Sequence, residues 1–271
     1  MAKCYDTKII KSGDIVEVYR YEKEVVYDFI EYKKGSKGRK SKAKQEDQEK
    51  NREKVFSRAK RDLRRIINCN VRKYSKFLTL TFKDEITDIS EANRELKKFI
   101  QRLNYHYGYK IQYSCVPEIQ EERLEKTGVA VWHYHLLLYN VIEKVDVKRL
   151  SEIWGNGFIK INSIKDVDNV GAYVCKYMTK QHKDRLQGKK MYFNSRNLKK
   201  PVEIKEEHAL KEFAKTLKHA HLKYTNTFLN EYNSVQYSQY IISENDIASN
   251  NMDILEFTDC LQEHNKNLVS V

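Results

Sequence analysis

The feature that most constrains the fold is a change of hydrophobic period along residues 74–182. The segment FLTLTF at 77–82 alternates apolar and polar side chains, which is typical of a half-buried strand. A capping-box pattern, Asp88 followed by Glu91, then opens an apolar stripe at helical spacing. The members of that stripe are Ile89, Ala92, Leu96, Phe99, Ile100 and Leu103. We therefore expect a strand followed by an amphipathic helix.

The rest of this segment continues to alternate between element types. The predicted elements are a strand at 110–120, a loop at 121–128, a strand at 130–140, a helix at 147–154, a strand at 158–162 and a helix at 167–181. The order βαββαβα predicts an α+β fold with a ferredoxin-like, split-βαβ antiparallel sheet and helices mainly on one face.

The flanking regions are predicted to be extensions of this central domain. They contain a hairpin at 9–22, a helix at 46–67, a helix at 205–219, a hairpin at 222–242 and an acidic tail from Glu244. We accordingly divide the chain into 1–69, 70–200 and 201–271. A phosphate-binding GxxxxGK[ST] loop is absent from the sequence, which excludes an ATPase of that type.

The charge of the chain indicates a polyanionic partner. Lys and Arg outnumber Asp and Glu by 13 overall, and residues 33–65 alone hold 15 basic against 5 acidic side chains. A solvated charged surface is the alternative. Two sets of basic residues are candidates for DNA binding, one on the helix at 46–67 and one in the segment SRNLKKP at 195–201. They are Arg58, Arg61, Arg64 and Arg65, and Arg196, Lys199 and Lys200.

Cysteine usage and hydropathy bear on where the protein acts. The 5 cysteines are scattered without CxxC spacing, which argues against a disulfide framework and against a thiolate zinc site. We expect an intracellular protein in a reducing compartment, with no membrane partner because no apolar run approaches the ~20 residues of a membrane span.

Two histidines on the strand at 130–140 form a candidate metal site. His133 and His135 are two residues apart, so their side chains leave the same face of a strand. Glu118 lies on the preceding strand and would complete a site with two nitrogens and one oxygen, with Gln120 as a substitute ligand. Such mixed ligation admits Mn²⁺ or Mg²⁺ and leaves positions open for a phosphate. Two strand histidines without a role are the alternative.

A tandem of Tyr-x-x-Lys units in YVCKYMTK supplies candidate nucleophiles. Tyr173 and Tyr177 are four residues apart on one helical face, and Lys176 and Lys180 each follow a tyrosine by three residues. A phenol with a pKa near ~10 is a poor nucleophile unless nearby positive charge favours the phenolate. Ordinary core packing is the alternative explanation for a tyrosine pair at this spacing.

The segments FLTLTF, His133-Tyr134-His135 and YVCKYMTK, in that order, resemble the three motifs of the HUH endonuclease superfamily. The two-tyrosine form resembles replication initiators of rolling-circle plasmids and small single-stranded DNA phages. The resemblance implies that His133, His135 and Glu118 bind a divalent metal and that Tyr173 or Tyr177 attacks single-stranded DNA. It further implies a 5′-phosphotyrosine intermediate and a free 3′-hydroxyl primer.

The same resemblance implies single-stranded DNA and origin duplex as partners, together with a host helicase and DNA polymerase in a prokaryotic cytoplasm. A relaxase or a transposase would share the chemistry, although relaxases usually carry the tyrosine before the histidines. From a different class, a non-catalytic RRM-like module would need stacking aromatics on the open sheet face.

Overall fold

The computed structural model describes residues 3–27, 45–141, 145–179, 186, 188–205, 207, 210–211 and 220–242. The chain divides into two compact units. One unit comprises Met1–Lys40 with Pro201–Val271, and the other comprises Ser41–Lys200. Among the described residues, no helix is both long enough and apolar enough to cross a membrane.

The first unit is built on a five-stranded antiparallel sheet. Its strands are β1 (Lys3–Ser12), β2 (Ile15–Tyr27), β8 (Val202–Ile204), β9 (His221–Leu229) and β10 (Ser234–Ile241). They lie in the order β8-β1-β2-β10-β9. Both hairpins expected from the sequence, β1–β2 and β9–β10, are confirmed. One face of the sheet packs into a core formed by Ile9, Val16, Val18, Tyr240 and Ile242.

The second unit contains another five-stranded sheet. Its strands are β3 (Lys76–Phe82), β4 (Tyr113–Ile119), β5 (Trp132–Leu138), β6 (Gly157–Asn162) and β7 (Phe193–Asn194). They lie in the order β6-β3-β5-β4-β7, and all neighbouring pairs are antiparallel. The first four strands in chain order therefore occupy positions 4-1-3-2 across the sheet, and the predicted α+β class is confirmed.

Two helices, α2 (Ile89–Tyr107) and α4 (Val147–Trp154), cover one face of this sheet. Asp88 caps α2 by accepting a hydrogen bond from the Ser90 amide, and the six residues of the predicted apolar stripe are all buried. Arg102 of α2 binds the last carbonyls of α4, at 2.6 Å to Ile153 and 2.7 Å to Trp154. These contacts satisfy backbone acceptors that the end of a helix leaves without partners.

Helices α1 (Gln45–Asn70) and α5 (Val170–Val174) pack on the opposite face. A 3₁₀ helix at Cys175–Tyr177 continues α5. This packing differs from the expectation that the helices would lie mainly on one face. The reason is the apolar side of α1, where Leu63 and Ile67 are fully buried against Phe77 and Leu137 of the sheet.

Two local expectations were wrong. The loop expected at 121–128 contains helix α3 (Glu121–Thr127), which begins with two acidic residues and ends at Gly128 in the left-handed conformation. The helix expected at 167–181 begins only at Val170, because Asn169 caps it, and loses helical geometry at Met178. Much of the predicted helix at 205–219, the basic segment 33–44 and the acidic tail lie outside the described residues.

Candidate active site

The two histidines and the carboxylate lie side by side on the face of the sheet that carries α1 and α5. His133 is the direct cross-strand partner of both Glu118 on β4 and Thr81 on β3. His135 is the partner of Thr79 on β3. Directly paired residues of antiparallel strands share a face, so the register brings together side chains that are distant in sequence.

His135 is held by hydrogen bonds at both ring nitrogens. Its Nε2 contacts the Glu118 carboxylate, and its Nδ1 lies 3.3 Å from the Thr79 hydroxyl. Asn162 of β6 donates to the same hydroxyl oxygen at 3.0 Å. With the hydroxyl donating to Nδ1, a neutral imidazole donates from Nε2 to the carboxylate, which satisfies every member of this chain of hydrogen bonds. The network fixes the orientation of the His135 ring.

His133, in contrast, has a buried Nε2 without a hydrogen-bond partner among the described residues. Burial, together with the neighbouring His135, lowers the pKa of His133 to about 4. The ring is therefore neutral at physiological pH, which is the form that coordinates a metal. Buried polar atoms normally have a partner, so this nitrogen is a candidate for coordination.

The donor set fits a divalent metal in chemistry, although the side chains are not arranged around one point. Among the described residues, no group of three His, Cys, Asp or Glu side chains is positioned to hold a metal ion. The cause is local, since Glu118 is bonded to the Nε2 of His135. Gln120, the other ligand considered, lies beyond the end of β4 and precedes α3. The structure therefore brings Glu118, rather than Gln120, to the histidine pair.

The two tyrosines stand directly over this site. The Tyr177 ring stacks on the His135 ring with centroids 3.6 Å apart and planes inclined by 19°. The Tyr177 hydroxyl donates to the Tyr173 hydroxyl at 3.4 Å, and Phe77 contacts both rings at 5.8 Å. Burial raises the pKa of Tyr177 above its ordinary value, and the hydrogen bond to Tyr173 raises it further. Without added positive charge, Tyr177 is therefore a phenol.

The lysines of the tandem differ in what is known of them. Lys176 is exposed, and its Nζ lies 5.7 Å from the centroid of the Tyr173 ring. Lys180 lies outside the described residues. Lys60 of α1, which sequence reasoning did not select as a site residue, donates from Nζ to the Met178 carbonyl at 3.4 Å.

A close junction between α1 and α5 sets the position of the tyrosines. The Asn68 side chain accepts from the Gly171 amide at 2.9 Å and donates to Asn169 at 3.0 Å. Asn169 in turn caps α5 by accepting from the Ala172 amide at 2.9 Å. Cys175 adds a contact from its Sγ to the Lys60 carbonyl at 3.2 Å. The turn that carries Tyr173 and Tyr177 is thus tied to α1 on both sides of Tyr173.

The basic candidates lie on two surfaces of the same unit. On α1, Arg58 and Arg61 are exposed, whereas Arg64 and Arg65 are half-buried. In the segment after β7, Arg196, Lys199 and Lys200 are all exposed. This segment is anchored by Asn70, which donates to the Lys199 carbonyl at 2.8 Å and accepts from the Lys199 amide at 2.9 Å. Their roles in DNA binding stay predictions.

Sequence reasoning missed two side chains on the edge strand β6. Phe158 is paired with Thr81, and Lys160 is paired with Thr79, so both share the face of the histidines. Phe158 is 72% exposed, which is unusual for a phenylalanine in a strand. The alternation in FIKIN predicts that the two side chains share a face. Only the strand register, however, reveals that this face carries the site.

Comparison with known proteins identifies one similarity. A family model for replication-associated proteins of the ORF2 type matches residues 75–182. The matched segment runs from β3 past the 3₁₀ helix and includes both histidines and both tyrosines. No curated protein and no solved structure matches the chain. This part of the chain is therefore similar to replication-associated proteins, which supports a replication initiator with a nuclease activity.

Proposed function

We propose that this protein initiates rolling-circle DNA replication by nicking single-stranded origin DNA with a tyrosine. The observation that carries the proposal is the stacking of Tyr177 on His135, beside the cross-strand pair of Glu118 and His133. A nucleophile, two metal-binding nitrogens and a carboxylate therefore meet on one sheet face. The family similarity over 75–182 supports replication as the process that this site serves.

His133, His135 and Glu118 are the proposed ligands of a divalent cation, Mg²⁺ or Mn²⁺. Such a cation would polarise the scissile phosphate and favour the phenolate over the phenol. The buried Nε2 of His133 has a partner in this arrangement, and His135 exchanges its contact with Glu118 for the cation. Thr79 and Asn162 keep the His135 ring oriented through its other nitrogen.

The proposed reaction is a transesterification. The oxygen of Tyr173 or Tyr177 forms a bond to phosphorus while the bond from phosphorus to the 3′ oxygen breaks. The phenolic proton passes to solvent, and the 3′ oxygen takes up a proton to become the primer hydroxyl. The number of phosphoester bonds is unchanged, so rejoining needs no ATP. The protein contributes mainly position and electrostatics.

The tyrosine pair suits two successive cleavages. Their hydroxyls are in hydrogen-bond contact, and Phe77 packs against both rings, so one position in the site is accessible to either oxygen. While one tyrosine carries the 5′ end, the other can attack a second phosphate. The exposed Lys176 beside Tyr173 offers charge for the phosphate.

The DNA contacts follow from the same face. We assign Phe158 to base stacking and Lys160 to a backbone phosphate next to the scissile bond. The exposed arginines of α1 are the proposed contacts to origin duplex, and Arg196, Lys199 and Lys200 the contacts along the single strand. A host helicase and DNA polymerase in a prokaryotic cytoplasm would extend the primer.

The test is formation of a covalent adduct on labelled single-stranded oligonucleotides from the protein's own locus. We expect an adduct on denaturing gels with Mn²⁺, none with EDTA, and none for the double variant Tyr173→Phe, Tyr177→Phe. The single variants rank the two tyrosines. Tyr192→Phe is the matched control, because Tyr192 packs against the same core cluster and should leave adduct formation intact. Equal DNA binding by His133→Ala with no adduct from any variant or wild type would instead indicate a non-catalytic binding module.

A further inference from the structure

The sheet of the first unit carries a second candidate surface, which is separate from the nicking site. Aromatic rings from four of its strands cover the face opposite the core of this sheet. We call this surface the aromatic strip. Its members are Tyr5 of β1, Tyr19, Tyr21 and Tyr27 of β2, Tyr224 and Phe228 of β9, and Tyr237 of β10.

The rings form two groups in direct contact. In one group, the Tyr237 centroid lies 5.0 Å from that of Tyr19 and 6.4 Å from that of Phe228. In the other group, the Tyr5 centroid lies 5.6 Å from that of Tyr21 and 5.4 Å from that of Tyr27. The strip is therefore continuous within each group and spans the width of several strands.

Lysine side chains connect and flank these groups. The Nζ of Lys8 lies 5.1 Å from the Tyr19 centroid and 6.0 Å from the Tyr21 centroid, so it bridges the two groups. The Nζ of Lys205 lies 5.3 Å from the Tyr5 centroid and 5.0 Å from the Tyr27 centroid. Rings and ammonium groups thus alternate along the strip.

The fold of the sheet does not account for this composition. The core lies on the other face, around Ile9, Val16 and Val18. On the strip, Tyr224 and Phe228 are 48% and 50% exposed. The acidic side chain below it, Glu17, is buried and accepts a hydrogen bond from the Tyr237 hydroxyl at 2.9 Å, so its charge is shielded and the ring is fixed. Rigid, exposed rings are available for contact with a ligand.

We propose that the aromatic strip is a binding surface for single-stranded DNA, with bases stacked on its rings and phosphates paired with Lys8 and Lys205. Alternating rings and cations match the alternating bases and phosphates of a single strand. The net charge of +13 favours a polyanion over a neutral protein surface as the occupant. This surface requires neither a metal nor the tyrosine pair, so it adds a contact beyond the proposed nicking reaction.

The test is the affinity of the full-length chain for fluorescent oligo(dT), measured by anisotropy in EDTA so that no nicking occurs. We expect Phe228→Ala to raise the dissociation constant by about fivefold to a hundredfold, the range typical of losing one base-stacking ring. We expect Lys8→Ala to reduce the slope of log affinity against log salt by about 0.7, the contribution of one phosphate contact.

Leu229→Ala is the matched control. Leu229 is the next residue on β9, is 82% exposed and points to the opposite face, so its removal should leave affinity unchanged. The proposal is overturned if wild type does not bind in EDTA, if Phe228→Ala binds like wild type, or if both variants lose affinity equally. It is also overturned if Phe228→Ala only dissociates a dimer in sedimentation, which would identify the strip as an interface between copies. Because adducts are assayed separately, these outcomes leave the nicking proposal intact.

Discussion

The junction between α1 and α5 predicts a large effect for the small substitution Gly171→Ala. A Cβ atom at this position would lie 2.3 Å from the Arg64 carbonyl oxygen and 2.6 Å from Asn68 Oδ1. Ordinary van der Waals contact requires more than a further ~1 Å, so α5 must move away from α1 by about that distance. The movement also stretches the buried hydrogen bond from the Gly171 amide to Asn68.

The expected loss of stability can be worked from these contacts. Overpacking of this kind costs about 1–3 kcal/mol, and a weakened buried hydrogen bond adds about 1 kcal/mol. Alanine reduces the entropy of the unfolded chain, which offsets about 0.4–1 kcal/mol. We therefore expect the free energy of unfolding to fall by about 2–3 kcal/mol. The measurement is urea denaturation, with the midpoint shifted and the slope unchanged.

The same shift should affect catalysis more than stability, because α5 positions the tyrosines over His135. A displacement of about 1 Å in a reacting group costs on the order of a hundredfold in rate, so adduct formation should slow by about that factor. Gly128→Ala is the control, since no atom lies within 4 Å of its Cβ position and only the left-handed φ of 71° is strained. Wild-type stability and adduct rate in Gly171→Ala would refute the account of this junction.

Three further predictions concern other parts of the same unit. Phe158→Ala should weaken binding of single-stranded oligonucleotides by about fivefold or more while leaving thermal stability unchanged, since the ring is exposed; unchanged affinity in anisotropy would exclude stacking there. Asn70→Ala should lower stability by about 1–3 kcal/mol in urea and weaken the salt dependence of DNA binding, because it releases the carbonyl and amide of Lys199; an unaltered salt slope would argue against a DNA contact by this segment. Leu80→Ala should cost about 2–5 kcal/mol, as Leu80 is fully buried beneath α2 and α4; a loss below about 1 kcal/mol in urea denaturation would contradict that packing.

Local periodicity was sufficient to predict the elements that bury one face. The alternation around Leu78 and Leu80 and the stripe of α2 follow directly from the amphipathic patterns of a strand and a helix. The shared face of His133 and His135 follows from the same two-residue period. The strength of these patterns explains why the α+β class and the order of elements around α2 were predictable.

Relations between distant segments were not predictable in this way. Stacking of Tyr177 on His135 depends on where α1 holds α5, through contacts such as Asn68 with Asn169, whose partners are 101 residues apart in sequence. Phe158 joins the site only through the register of β6 on β3. The pairing of β10 with β2 likewise joins two distant parts of the chain in one sheet, although each hairpin was predicted separately. Such contacts depend on tertiary packing, which no local pattern encodes.

Peptide mapping of the covalent adduct tests the central claim most directly, since that claim is a bond between DNA and one of two tyrosines. Trypsin cleaves after Lys176, so Tyr173 falls in the peptide 166–176 and Tyr177 begins the next peptide. After incubation with Mn²⁺ and a single-stranded oligonucleotide, nuclease and trypsin digestion should leave a nucleotide on one of these two peptides. A nucleotide on any other peptide, or no modified peptide despite cleaved DNA, would contradict tyrosine transesterification at this site.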